Sequence, residues 1–81
     1  MDREKVCMEL QEIFRSVFDD KTLIISEKTT MEDVPRWDSF ENANLMVAIE
    51  SKYNVRFNLS YAYEIESVEE ILTALEERLK D

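Results

Sequence analysis

Eighty-one residues, 44% of them hydrophobic, make one small domain with a modest core, and 36% charged with 10% aromatic side chains is the balance of a folded chain, not a disordered one. Nineteen Asp and Glu against ten Lys and Arg give a formal net charge of −9, which repels nucleic acid and anionic lipid and favours partners with positively charged surfaces. With no His, no Gly and one Cys, the chain lacks the residues for Ser-His-Asp or Cys-His catalysis, a zinc site, an internal disulfide, a Gly-rich phosphate loop or a nucleophile elbow.

Residues 1–5 are charged and hold no apolar run of the kind a signal peptide or membrane span needs, so the reading is a cytoplasmic protein that does not enter membranes. Val6, Leu10, Ile13, Phe14 and Val17 recur at helical spacing and predict a first amphipathic helix ended by Asp19-Asp20. Cys7 on that helix reads as a small, at least half-buried side chain without the basic surroundings of a reactive thiol. A long connection follows, with Thr29-Thr30 and Pro35, and Leu23, Ile24, Met31 and Val34 are the side chains expected to pin it to the core. Trp37 is expected to anchor the end of this connection over the core.

The second helix is predicted from Ser39 to Tyr53, with Asp38 as N-cap and Glu41 completing a capping box. Leu45, Met46, Ile49 and Tyr53 form its inward stripe, while Phe40, Ala43 and Val47 line up on the opposite side, where a core helix needs no apolar residues. Asn54 is suited to a left-handed C-terminal turn, Val55 and Phe57 return to the core, and residues 58–65 allow one short helical turn carrying Tyr61 and Ala62. Ser67-Val68-Glu69-Glu70 is a capping box that opens the last helix; Val68, Ile71, Leu72, Leu75 and Leu79 form its apolar face, and Arg78 and Lys80 suit its negative end. The expected architecture is all-α: a four-helix bundle of three longer helices and one short one, in a single domain over residues 1–81.

Ser39 is the residue with the most chemical potential. It falls in the first helical turn with its oxygen outward, where free backbone N–H groups and the positive end of the helix dipole favour a phosphate-linked group. The residues alone leave two readings open, an attachment point or an ordinary helix-start serine.

The stretch Trp37-Asp38-Ser39-Phe40-Glu41-Asn42-Ala43-Asn44-Leu45-Met46-Val47-Ala48-Ile49-Glu50 resembles the Asp-Ser-Leu segment and following helix of the acyl carrier protein family, and the likeness continues through Tyr53, Val55, Phe57, Ala62, Ile65, Ser67, Val68 and Leu72. The resemblance implies that Ser39 receives 4'-phosphopantetheine from coenzyme A through a phosphopantetheinyl transferase. The thiol of that arm would hold acyl groups as thioesters for delivery to partner enzymes, as in fatty acid biosynthesis and lipid metabolism, and the chain would be a monomeric carrier and not itself an enzyme. It further implies that acyl-loading and acyl-transfer enzymes with basic patches dock on Asp38, Phe40, Glu41, Ala43, Asn44, Val47 and Glu50, and that Phe40, Ala43, Val47, Tyr61 and Ala62 shelter the acyl chain. Members of the family often have Gly before the Asp and Leu after the Ser, where this chain has Trp37 and Phe40, and Asn44 and Ser51 stand where fatty-acid carriers usually have glutamates. These departures imply a specialised pathway, such as surface-polysaccharide modification. The Asp-Ser-Phe sequence is similar to that of D-alanyl carriers, so an aminoacyl carrier is the alternative within the family; an unmodified acidic helical adaptor is the alternative outside it.

Overall fold

The computed structural model describes residues 1–79, and the side chains of all of these except Leu59 and Tyr61. Four helices follow in order, α1 (Arg3–Val17), α2 (Ser39–Tyr53), α3 (Leu59–Glu64) and α4 (Val68–Arg78), with one 3-10 turn at Met31–Asp33 inside the long α1–α2 connection. The fold is all-α, three longer helices and one short, as the periodicity predicts. α2 packs on α1 and α3, and α1 also packs on α4.

Each helix starts where a side chain takes over free N–H groups. Asp2 Oδ1 accepts from the N–H of Glu4 and Lys5 at 3.0 and 3.3 Å and so opens α1. Val6, Leu10 and Phe14 are buried from α1, with Ile13 and Val17 partly so, and Phe18 at its C-cap joins them in the core. Arg3 holds α1 to α4, donating to both carboxylate oxygens of Glu76 at 3.0 and 2.6 Å and to Thr73 at 3.2 Å. That bidentate donation keeps the Glu76 carboxyl below its ordinary pKa.

The long connection is pinned differently from expectation at one place. Leu23 and Met31 are partly buried and Val34 is fully so, but Ile24 is 77% exposed and Ile25 is the buried neighbour. The cause is Gln11 on α1, whose Oε1 accepts the Ile25 N–H at 2.9 Å, while Arg15 Nε donates to the Leu23 carbonyl at 2.7 Å. With the backbone held on both sides of it, Ile24 is left facing solvent between the inward Leu23 and Ile25. Further along, an antiparallel bridge between Thr30 and Ser67 ties the connection to the start of α4: Met31 N–H donates to Glu66 O at 2.7 Å and Val68 N–H to Thr29 O at 2.9 Å.

At that start Ser67 Oγ accepts the Glu70 N–H at 3.2 Å, while the Glu70 carboxylate reaches back to the Glu66 N–H at 3.0 Å, one residue before the cap. Val68, Ile71, Leu72 and Leu75 are buried as expected, together with Ala74. Leu79 is not part of that face. α4 ends at Arg78, which leaves Leu79 as the C-cap with 38% of its surface exposed. The expectation for Lys80 lies outside the described residues.

Asn54 ends α2 in the left-handed conformation, φ 54° and ψ 49°, its N–H donating to Glu50 O. The Cβ crowds a carbonyl oxygen there, a strain that Gly lacks and that Asn and Asp tolerate best, so Asn54→Ala is expected to cost about 1 kcal/mol in urea unfolding while Asn54→Gly keeps or raises stability. Equal loss in both variants would mean that the side chain, and not the backbone angle, matters at this position.

Candidate functional site

Ser39 is the first residue of α2, and the chain enters it along an extended Asp38 at φ −124°, ψ −176°. Asp38 Oδ1 accepts the Glu41 N–H at 2.8 Å, and Asn42 N–H donates to Asp38 O at 2.8 Å. The return half of the predicted capping box does not form: among the described residues no bond joins the Glu41 carboxylate to the Asp38 N–H, so Asp38 caps alone. Ser39 is exposed, and neither its hydroxyl nor the N–H groups of Ser39 and Phe40 meet an acceptor among the described residues. An open alcohol beside two unpaired N–H donors at the positive end of a 15-residue helix suits a phosphodiester on that oxygen.

The residues flanking the serine are anchored in the core. Trp37 is 3% exposed and meets Phe14 edge to face, with ring centroids 5.1 Å apart and planes at 89°. Its Nε1–H donates to Asn42 Oδ1 at 2.9 Å, and Asn42 Nδ2 donates onward to the Ala62 carbonyl at 3.0 Å. Since the indole only donates and the carbonyl only accepts, these partners fix the orientation of the amide. Arg36 adds a bond from Nη1 to Phe18 O at 3.0 Å. Trp37 is thus the core anchor the sequence suggests. The role of Asn42 goes beyond the motif, although its signal is in the sequence: an amide at 42 falls on the same helical face as Leu45, Met46 and Ile49.

The outward side of α2 carries an apolar strip. Phe40 is 77% and Val47 63% exposed, Ala43 and Asn44 are exposed beside them, and Tyr63 of α3 stands across from them. Between α2 and α3 lies a pocket of about 100 Å³, lined by Ala43, Val47 and Ala62 together with Asn42, Met46, Glu50, Phe57 and Tyr63. Phe40, also expected at the pocket, is not among its walls and lies out on the surface. The expectation for the Tyr61 side chain lies outside the described residues.

Of the three acidic residues expected on this helix, Asp38 is exposed, Glu41 is half-buried, and Glu50 is half-buried with Oε2 accepting the Phe57 N–H at 2.8 Å. Lys52 and Arg56 near the far end are exposed, without an ion pair among the described residues. On α1, burial raises the pKa of the half-buried Cys7 thiol, the opposite of activation. Burial, followed by the bond from Tyr53 to Glu9 Oε1 at 2.6 Å, raises that phenol above its ordinary range. No group of three or more metal-ligating side chains converges among the described residues, and no helix there is long and apolar enough to cross a membrane.

The solution NMR structure of the holo acyl carrier protein from Geobacter metallireducens is similar to this chain with a TM-score of 0.79 and 30% sequence identity, over 90% of this chain and 84% of that one. This chain belongs to the acyl carrier protein family. No protein-family model and no curated protein matches the sequence. As an acyl carrier protein it combines the family's helix order with an aromatic on each side of the Asp-Ser pair, Trp37 turned into the core and Phe40 turned away from it.

Proposed function

We propose that this acyl carrier protein holds 4'-phosphopantetheine on Ser39 and uses it to carry acyl groups between partner enzymes. The observation that supports this most is the exposed Ser39 hydroxyl at the first position of α2, in a segment flanked by the buried and hydrogen-bonded Trp37 and Asn42. Ser39 Oγ forms the phosphodiester, losing its proton, and adenosine 3',5'-bisphosphate leaves from coenzyme A. When bound, the arm supplies a thiol that carries cargo as a thioester. The chain's own residues present and orient the oxygen: Asp38 fixes the helix start, the first-turn N–H groups of Ser39 and Phe40 face the phosphate position, and Trp37 keeps the preceding backbone from moving.

Phe40, Ala43, Asn44 and Val47 form the surface on which partners rest, with Asp38 and Glu41 drawing basic patches towards the serine end. Glu50 is less free to reach a partner, because one of its carboxylate oxygens accepts the Phe57 N–H. Phosphopantetheinyl transferases and acyl-loading and acyl-transfer enzymes are the partners, and the chain acts as a single-domain carrier while they supply the chemistry. Ala43, Val47 and Ala62 form the apolar shelter for the chain end. Asn44 and Ser51, neutral on the exposed side of α2, support a dedicated pathway over one built for strongly acidic docking helices.

The test is direct. Incubation with coenzyme A, magnesium and a broad-specificity phosphopantetheinyl transferase is expected to add the mass of one phosphopantetheine per chain, with peptide mapping placing it on Ser39. An unchanged mass, with a control carrier converted in parallel, overturns the reading in favour of an unmodified adaptor.

A further inference from the structure

Residues 36–56, which hold α2 and its flanks, carry Asp38, Glu41 and Glu50 against Arg36, Lys52 and Arg56 and so have no net charge; the whole −9 of the chain lies on the other residues. Within this neutral segment the signs are separated. Asp38 and Glu41 stand at the serine end, where a phosphodiester on Ser39 adds a further negative charge. Lys52 and Arg56 stand at the other end, both exposed and without an ion pair among the described residues. From Glu41 to Lys52 is three turns along one flank of the helix, about 16 Å along its axis.

The other charges near the two ends do not reverse this order. Arg36 at the serine end donates through Nη1 to Phe18 O. At the far end Glu50 and Glu9 are half-buried, and each already accepts a hydrogen bond, from the Phe57 N–H at 2.8 Å and from the Tyr53 hydroxyl at 2.6 Å. What a visiting surface meets first there is cationic. Lys52 has an ordinary reason to stand in the last turn of α2, since it complements the negative end of the helix dipole. That reason does not extend to Arg56, which lies beyond the Asn54 cap. Arg56 borders an open hollow together with Glu50, Ser51, Asn54 and Val55, where its guanidinium, the Ser51 hydroxyl and the Asn54 amide are donors suited to a carboxylate from outside.

The two ends act on a partner separately. At physiological salt a charge is screened over about 8 Å, half the distance from Glu41 to Lys52, so a docked surface feels two local signs and not their sum. A partner of standard interface size covers about 800 Å² of the chain, a patch roughly 30 Å across, and when centred on the exposed Phe40, Ala43 and Val47 it reaches both ends.

We propose that Lys52 and Arg56 select the partners of α2: the enzymes that fit carry cations opposite Asp38 and Glu41, an apolar centre, and a carboxylate opposite Lys52 and Arg56, while enzymes whose docking patch is cationic throughout are disfavoured. The inference rests on the proposed use of α2 as the surface where partners meet Ser39.

The probe is a phosphopantetheinyl transferase with Lys and Arg across its whole carrier-docking patch, used unaltered and with the patch cations farthest from its active site replaced by Glu. Each form is assayed on the full chain and on Lys52→Glu/Arg56→Glu, by intact mass against time at 50 and 500 mM NaCl. At 50 mM the unaltered transferase is expected to modify the double variant with a kcat/KM about tenfold above that for the parent, the gain lying in KM, and the altered transferase to prefer the parent. Both preferences are expected to shrink to within about twofold at 500 mM. Lys52→Gln/Arg56→Gln is expected to fall between the parent and the reversal, and serves if the reversal lowers the melting temperature. Lys28→Glu makes the same change of net charge as Arg56→Glu, but on an exposed residue of the connection beside the Thr30–Ser67 bridge, and is expected to move kcat/KM by less than about twofold.

Equal effects of Lys28→Glu and Arg56→Glu overturn the selection while leaving the attachment intact, since charge would then act through the field of the whole chain. So does the absence of any preference among the pairings at 50 mM. No mass gain with any pairing overturns the Ser39 attachment, and this inference with it.

Discussion

Ser39→Ala is expected to abolish phosphopantetheine transfer completely while changing unfolding free energy by no more than about 0.5 kcal/mol. The separation of the two effects follows from the geometry. The Ser39 hydroxyl is exposed and makes no hydrogen bond to a described residue, so its removal leaves no buried group unpaired. Capping of α2 is done by the neighbouring Asp38, whose Oδ1 holds the Glu41 N–H at 2.8 Å, and Ala is a good helix former at the first helical position. Transfer, in contrast, has no substitute nucleophile at that place, since the adjoining side chains are a carboxylate and a phenyl ring. Intact mass after exhaustive treatment with transferase and coenzyme A, beside a urea melt of the same sample, measures both quantities. Residual modification would show that another side chain accepts the group; a melt shifted by 2 kcal/mol would show that the hydroxyl is part of the fold and thus poorly available to an enzyme.

How far the sequence carried depends on whether a feature is local. Helix starts were legible because Asp38 and Ser67 do their capping within four residues, and the left-handed Asn54 was legible because few residues tolerate that turn. The two-sided character of α2 could also be read, since the positions of Phe40, Ala43 and Val47 relative to Leu45, Met46 and Ile49 are set by helical spacing alone. Several of the errors fall where a partner on another element decides. Three consecutive apolar residues, Leu23-Ile24-Ile25, offer no local reason to choose which faces inward, and the choice is made by Gln11 on another element. Leu79 continues the apolar spacing of α4, but periodicity does not say where a helix stops when no Gly marks the end. The spacing puts Asn42 on the inward face of α2, but its partners, Trp37 and the Ala62 carbonyl twenty residues away, are not legible until the fold brings them to it. Glu50 reads as free surface charge until the turn into α3 delivers the Phe57 N–H to it.

The larger effect on stability is expected at the residue just before the Asp-Ser pair. Trp37→Ala removes a buried indole, 3% exposed, from its place against Phe14, and a truncation of that size in a core costs about 3–5 kcal/mol. A domain this small has a total of only about 5–10 kcal/mol to lose, so the variant should be partly unfolded at 37 °C. Trp37→Phe separates the two contributions. It keeps most of the apolar contact with Phe14 but deprives Asn42 Oδ1 of its donor, which by itself costs about 1–3 kcal/mol because the acceptor stays buried. Circular dichroism through a urea gradient, read at constant slope, yields both values. Because Trp37 adjoins Asp38 and pins the backbone that leads into Ser39, the loss should reach the site as well: Trp37→Phe, still folded, is expected to accept phosphopantetheine with a raised KM for the carrier as the helix start becomes mobile. A Trp37→Ala variant less than 1 kcal/mol below the parent would mean that the aromatic contact with Phe14 and the bond to Asn42 do not form in solution, and that the serine is presented without the buried anchors described above.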